Sequence, residues 1–308
     1  MQRFIVTRLA YSVLVLFAVS VIVFALARIS GDPTDALVPL DASVEQREAL
    51  RRIWGLDKSY PEQYLTFLGN AFKGKFGDSL KWSDSTAMGM VVQRFPNTLM
   101  LAGVAIGISL IIAVPIGVLS AVRKDTPFDL IGKVFALLGQ ATPPFWLGIM
   151  LIWIFAVKLD WFPTQGKGGL NTLILPAITL GWFQVAALMR LVRSAMLEVL
   201  DSEYVKLARI KGIAEWRVVW KHCLRNAAIP PLTLFGILAA NVMTGAIVTE
   251  TVFSWPGTGL LAVDAIRARD YTVVQAIVIL FACIHVGMNL LVDILYAYLN
   301  PRVRYGRG

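Results

Sequence analysis

Charge is scarce in this chain. Only 16% of its 308 residues are Asp, Glu, Lys or Arg, against 57% hydrophobic, and the mean hydropathy is +0.66. So few charges cannot clothe a water-facing globule of this size, which excludes an ordinary soluble enzyme and points to a polytopic membrane protein. Cysteine is nearly absent: Cys223 and Cys283 fall in different regions, so no disulfide framework is implied. Histidine is as rare, and His222 and His285 lie far apart, so no metal cluster is expected. No glycine-rich loop ends in Gly-Lys-Ser or Gly-Lys-Thr, which removes nucleotide hydrolysis by the Walker route. No serine, lysine and histidine set suits intramembrane hydrolysis, so a non-catalytic chain is expected. The net charge of +9 has no soluble basic domain to carry it, so it reflects topology and anionic-lipid contact rather than a nucleic-acid partner. Solenoid repeats, low-complexity tracts and a clean inverted repeat are all missing.

What is present is length in the apolar runs. They are too long, and alternate too little, for strands. A spanning helix needs about 20 predominantly apolar residues, and six stretches qualify: Leu9 to Ile29, Thr98 to Val122, Leu130 to Val157, Thr172 to Leu191, Leu232 to Phe253 and Thr272 to Leu299. Arg3 and Arg8 precede the first run, and Ala25-Leu26-Ala27 resembles a cleavage site, yet a signal peptide wants an apolar core of about 7–15 residues. Leu9 to Ala27 is longer, so a retained span is expected.

Lys and Arg set the orientation. The segment from Arg190 to Arg225 and the tail at Arg302, Arg304 and Arg307 are basic, and six spans starting from an inside N-terminus place both in the cytoplasm, with both chain termini. The segment from Gly31 to Asn97 then lies outside. It predicts two amphipathic helices, one after Ser43 and one after Pro61, lying on the membrane face or packed as a small cap on the spans. The expected organisation is therefore residues 1–29 as N-terminus and first span, 30–97 as outer segment, and 98–308 as a five-helix core.

Within that core, a coupling loop at 199–226 carries the most informative stretch, Ser202 to Gly212. Ser202 is placed to N-cap a short basic helix, and Gly212 to end it in the left-handed conformation. At 1.5 Å rise per residue the rod is roughly 14 Å long. A second helical stretch from Ala214 to Arg225 sets Trp216 and Trp220 one turn apart. Two basic helices joined by a glycine corner make a docking device more naturally than a catalytic one.

Elsewhere the spans predict packing and pathway features. Gly103 and Gly107 form a small-xxx-small pair for close helix approach. Pro143-Pro144, beside Gly139, Gln140 and Thr142, predicts a broken helix near a pathway or a packed kink. Trp255 suits the headgroup level, and Asp293 is expected to pair with Arg190 or Arg193. The candidate pathway residues are uncharged: Gln140, Thr142, Gln184, Asn241, Thr244 and Asn289. Such a lining passes a solute without gripping it, which places specificity on a separate receptor. A secondary transporter or channel for a small polar solute is the alternative, and it would want midplane carboxylates that are scarce here.

Several stretches, in order, resemble the permease subunits of peptide-type ABC importers (the dipeptide, oligopeptide, glutathione and nickel group). Glu203-Tyr204-Val205-Lys206-Leu207-Ala208-Arg209-Ile210-Lys211-Gly212 looks like that group's EAA motif, followed by His222-Cys223-Leu224-Arg225-Asn226-Ala227. Arg28-Ile29-Ser30-Gly31-Asp32-Pro33, Gly74 to Leu80, Glu250-Thr251-Val252-Phe253-Ser254-Trp255-Pro256-Gly257, Arg269-Asp270-Tyr271, Asn289 to Asp293 and the tail from Asn300 to Arg304 extend it over essentially the whole chain. Ser30 and Tyr204 depart from the usual pattern. The resemblance implies coupling through Glu203, Tyr204, Ala208, Arg209 and Gly212 to ATP-binding subunits. It further implies two such subunits holding ATP and Mg, a second related permease, a periplasmic or lipid-anchored solute-binding protein, no cofactor on this chain, and a bacterial inner-membrane location.

Overall fold

The computed structural model describes residues 2–29, 43–82 and 84–299, with the side chains of residues 2–5, 44, 47, 50, 243–245 and 295–299 left aside. The stretch from Ser30 to Pro33, the tail from Asn300 and the side chain of Thr244 therefore lie outside the described set. Twelve helical elements occur among these residues: α1 Gln2–Ile29, α2 Val44–Ile53, α3 Tyr60–Phe72, α4 Ala87–Val122, α5 Pro127–Ala141, α6 Pro144–Lys158, α7 Asn171–Leu200, α8 Glu203–Ile210, α9 Glu215–Ala227, α10 Ile229–Val252, α11 Thr258–Arg267 and α12 Tyr271–Leu299. An isolated bridge between Asp78 and Thr86 is the one β pairing among the described residues.

In hydrocarbon every backbone polar group must find an internal partner, which favours uninterrupted helices. Among the described residues four are long and apolar enough to cross a membrane: the Val6–Ile29 part of α1, α4, α7 and the Tyr271–Ile294 part of α12. Two further pairs, α5 with α6 and α9 with α10, pass the test only jointly and are bent by 108° and 59°. The count of spans is six if each bent pair makes one crossing.

The α5–α6 break has a local cause. A residue before proline is pushed out of the helical region, and Thr142 sits extended at φ −82°, ψ 121°. Pro144 then opens α6, where a missing N–H costs nothing. Both halves pack on neighbours: a Cβ on Gly139 would fall 2.6 Å from Ala186 Cβ, and one on Gly148 would meet Val252 and Phe253 at 3.1 Å. The second half of α6, Ile152–Lys158, is π-helical, as is Val218–Cys223 in α9.

α4 starts at Ala87 rather than Thr98, with Thr86 Oγ1 accepting the Gly89 N–H at 3.1 Å. It pairs intimately with α7. Without a hydrophobic drive between helices in lipid, close backbone approach through small residues supplies the dispersion contact. The residues that do this are not Gly103 and Gly107, which have nothing within 4 Å of a notional Cβ. They are Gly117, whose Cβ would lie 2.8 Å from Met189 O, and Gly181, whose Cβ would lie 2.9 Å from Ala105 O and Ser109 Oγ. Ala105, Ser109 and Ala113 are buried along the same face.

α1 and α12 pack against one another. Arg8 Nε meets Asp293 Oδ2 at 3.2 Å, which corrects the pairing of Asp293 with Arg190 or Arg193. Arg193 instead forks onto Asp129 at the start of α5, with Nε–Oδ1 at 2.6 Å and Nη2–Oδ2 at 2.8 Å. Lys133 adds a third contact at 2.8 Å to a carboxylate with no solvent exposure. Of the two outer-segment helices, α3 is a packed cap: Tyr64 and Phe67 lie 5.4 and 5.7 Å from the Phe24 ring, and Tyr64 shares a 2.8 Å hydrogen bond with Ser20 of α1. α2 begins on a reciprocal pair, Gln46 N–H to Ser43 Oγ at 3.2 Å and Ser43 N–H to Gln46 Oε1 at 3.1 Å.

Candidate functional site

The segment between α7 and α10 is anchored by apolar side chains and presents polar and apolar ones outward. Val205 of α8 and Val218, Val219 and Cys223 of α9 are buried in one cluster with Val192 and Met196 at the end of α7. Ser202 takes the extended N-cap backbone, but its hydroxyl donates to Val199 O instead of accepting from the first turn. The capping expected of its side chain is therefore not made.

The corner after α8 is a Schellman motif. The Gly212 N–H donates to Arg209 O at 2.9 Å and the Ile213 N–H to Ala208 O at 3.3 Å. This wrap requires positive φ, and Gly212 has φ +71° with open space where a Cβ would stand. Arg209 spans the corner, gripping Glu215 with both ends of its guanidinium: Nε to Oε2 at 3.2 Å and Nη2 to Oε1 at 2.7 Å. The guanidinium holds the Glu215 carboxyl below the usual carboxylate range, and the carboxylate in turn raises Arg209. Tyr204 ties the start of α8 to the end of α9, its hydroxyl accepting from Asn226 Nδ2 at 2.8 Å. Glu203 pairs with Lys206 at 2.8 Å, with both side chains largely solvated. Ala208 is half-buried against the anchoring cluster.

Of the five residues expected to couple, four therefore set the shape of the segment. Tyr204 and Arg209 also keep part of their surface exposed, but Glu203 is the most open to solvent. Beside it stand Leu207, Ile210 and Trp216, with 56%, 80% and 63% of their surface exposed. Apolar side chains grouped on a polar, exposed segment mark an interaction surface.

The candidate pathway residues lie at the end of α5 and on α7, α10 and α12. Gln184 is buried in α7, its Nε2 donating weakly to Leu180 O at 3.4 Å. Thr142 returns its hydroxyl to Leu138 O at 2.6 Å. Gln140 and Asn289 are half-buried and Asn241 is exposed. None of these lines either of the two cavities at α1 and α12.

The opposite end of the bundle carries two polar knots that sequence reasoning passed over. Glu250, without solvent exposure in the last turns of α10, accepts Thr98 Oγ1 at 2.7 Å, Gly259 N–H at 2.7 Å and Leu260 N–H at 3.0 Å. It thereby caps α11 and joins it to α4. The space is tight: a Cβ on Gly257 would fall within 2.3 Å of all three carboxylate atoms. Trp255, expected at the headgroup level, is fully buried beside this knot, and its indole Nε1 donates to Asn97 O at 3.0 Å. Asp270 is the second knot. It caps α12 through Val273 N–H and reaches across to the outer segment, accepting from Leu80 and Lys81 N–H at 2.9 and 3.2 Å and from Ser79 Oγ. The signal for both was available, since each is an acid at the edge of an apolar run, where a carboxylate stays only if it is fully hydrogen-bonded.

Comparison with known proteins decides the family. The description "Binding-protein-dependent transport system inner membrane component" matches residues 113–305, and its N-terminal counterpart matches residues 1–102. The chain belongs to this family. It is 38% identical to the oligopeptide transport system permease protein AppB of Bacillus subtilis, over 99% of this chain and 100% of that one. It is 38% identical to the di/tripeptide transport system permease protein DppB of Pseudomonas aeruginosa, over the full length of both. It is 37% identical to the glutathione transport system permease protein GsiC of Escherichia coli, over 99% and 100%. Among solved structures, an amino acid ABC transporter matches with a TM-score of 0.51, 15% identity, 69% of this chain and 94% of that one, which establishes a shared fold. The chain is thus a helical, multi-pass, non-catalytic permease component of the inner membrane.

Proposed function

We propose that this chain is one of two permease subunits of an ATP-driven importer and that it carries di- or oligopeptides inward by alternating access. Its relatives named for oligopeptides, di- and tripeptides and glutathione support the cargo class. Two ATP-binding subunits holding ATP and Mg would dock on α8 and α9, a second related permease would complete the pathway, and a solute-binding protein would deliver cargo at the opposite face. The observation that carries this reading is the braced corner: a rod held by the Arg209–Glu215 grip and the Gly212 turn, rooted in the cluster at the end of α7, and offering Glu203, Leu207, Ile210 and Trp216 outward.

Orientation follows the same logic. Arg8, the α8–α9 segment and the C-terminal end of α12 belong to one end of the bundle, since Asp293 pairs with Arg8 and Val292 packs on Gly236 near the start of α10. With that basic end in the cytoplasm, both termini are cytoplasmic, and the Glu250 and Asp270 knots face outward.

The test is a cysteine at Glu203, Leu207 or Ile210, crosslinked to the ATP-binding subunit in the assembled transporter, alongside ATP-driven peptide uptake. Crosslinks that form and change in yield on ATP binding are expected. Absence of crosslinks from all three positions, in a complex that still transports, overturns the docking site.

A further inference from the structure

The break between α5 and α6 leaves main-chain groups unmet. A helical carbonyl accepts from the N–H four residues on, and for Gly139 and Gln140 those residues are Pro143 and Pro144, which have none. The donor between them, Thr142, gives both its N–H and its hydroxyl to Leu138 O, at 3.0 and 2.6 Å. No Lys or Arg stands in the last turn of α5 to cap it. On the facing helix, Trp182 lies against Gly139, and its buried indole Nε1 has no hydrogen-bond partner among the described residues. Unmet groups on two helices at one height suit a polar occupant better than a packed kink.

That height is close to the middle of the bilayer. Gly139 packs on Ala186, about halfway along α7, and α7 in turn crosses α4 at Gly181 and Ala105, about halfway along α4. Broken backbone at that depth is tolerated only inside protein or along a water-filled passage. This chain does not bury the break: Ala141, Pro143 and Pro144 are exposed, and Phe145 and Trp146 are 53% and 50% exposed. A second helix laid over it has no spare backbone N–H to offer, because its own are already bonded within the helix. Water has donors to give, and so does a solute carrying N–H groups. The α5–α6 flank therefore faces the passage.

The chemistry of the acceptors names the group they take. The carbonyl end of a helix carries a partial negative charge, equivalent to about half an elementary charge, so it holds a cation with N–H donors without needing a carboxylate. Resting on the peptide cargo proposed above, we propose that the end of α5 binds the protonated amino terminus of the peptide through the Gly139 and Gln140 carbonyls. Phe145 and Trp146 supply aromatic faces, which attract an ammonium group. Oligopeptides, di- and tripeptides and glutathione, for which the relatives are named, differ in length and side chains but share a free α-ammonium. A main-chain site that reads this group alone passes all of them, and it needs no acid in the spans.

The test uses the whole transporter with its partner subunits but without the solute-binding protein, so that selection by that protein does not enter. Ala141→Cys is placed in a Cys283→Ser background, since Cys283 is exposed and Cys223 buried, and its labelling by a water-soluble methanethiosulfonate is timed. Labelling is expected in the peptide-free state. Trialanine should slow it, whereas N-acetyl-trialanine at the same concentration should not. Pro143→Ala with Pro144→Ala returns the missing donors to the two carbonyls, and Gln140→Lys sets a tethered ammonium beside them while keeping the prolines. Each should raise the half-protecting concentration of trialanine about tenfold or more, the loss of a charge-assisted hydrogen bond, in a complex whose subunits still co-purify. No labelling with or without ATP means that lipid or the second permease covers the break, and the proposal falls. Equal protection by both peptides overturns the ammonium assignment, and unchanged protection in both variants overturns the site. If trialanine fails to protect while ATP-driven peptide uptake persists, this site alone is lost. If crosslinking at α8 fails while protection holds, the coupling reading is lost and this site stands.

Discussion

Replacing Gly212 with alanine isolates what the corner after α8 contributes. The left-handed conformation costs an L-residue about 1–2 kcal/mol, and Gly212 sits at φ +71°. No steric penalty adds to this, because nothing lies within 4 Å of the new methyl. A cost of that size shifts a local equilibrium by a factor of roughly 5–30. It falls on the two hydrogen bonds that close the corner, from Gly212 N–H and Ile213 N–H. Hydrogen exchange at Ile213 in the assembled transporter should therefore quicken by about that factor, while amides in α4 and α7 stay unchanged. Peptide uptake should fall several-fold, with assembly intact. Gly212→Asn should recover most of both, since asparagine tolerates the conformation. Gly212→Asp shares that tolerance but brings a carboxylate to compete with Glu215 for Arg209, so it should remain uncoupled. Unchanged exchange in Gly212→Ala would refute the corner as a strained element. Faster exchange with unchanged uptake would refute its role in transmitting force.

Exchanging the partners, as Arg209→Glu with Glu215→Arg, should restore uptake lost in either single variant, because the grip needs only opposite charges across the corner. Its pH dependence has a definite sign. The folded Glu215 carboxyl is depressed by Arg209, so the grip is fully present above the ordinary carboxylate range and is lost as pH falls through the lowered folded value; the protection factor at the corner, with the intrinsic pH dependence of exchange divided out, should hold from pH 7 down to the ordinary carboxylate range and decline below it. Asp129→Asn leaves Arg193 without its fork and should destabilise the subunit by on the order of 3 kcal/mol, read as a lower thermal midpoint in detergent. Gly257→Ala drives a methyl into the Glu250 carboxylate, which should cost about 1–3 kcal/mol as overpacking. The double variant with Glu250→Ala should be markedly less destabilised than the sum of the singles, which a double-mutant cycle in the thermal midpoint would measure.

The helical plan was legible because an apolar run of spanning length admits few structures. The Gly212 corner was legible too, since one residue type dominates the left-handed position. Partnership was not. Asp293 read alone gives no reason to choose Arg8 over Arg193, because the choice depends on α12 packing against α1, at the other end of the sequence. Gly103 and Gly107 match the spacing for close approach but face away from α7, whereas Gly117 and Gly181 make the contact from separate helices and form no local pattern. Trp255 looks interfacial by residue type; the knot formed by Asn97, Thr98, Glu250 and Thr258 makes it core. Arg209 looked like a docking charge, and its partner turned out to be six residues away across a turn whose geometry only the fold supplies.

The Arg8–Asp293 pair has a consequence for biogenesis. α1 finds its mate in α12, and the intervening sequence takes on the order of ten to fifty seconds to make at about 5–20 residues per second. Until then α1 has only the α3 cap to lean on, and its apolar surface, with Val13, Leu14 and Ile22 each more than half exposed even in the finished fold, suits that wait. Closure of the bundle is therefore a late event, and polypeptides truncated before Tyr271 should leave α1 held by the α3 cap without its mate.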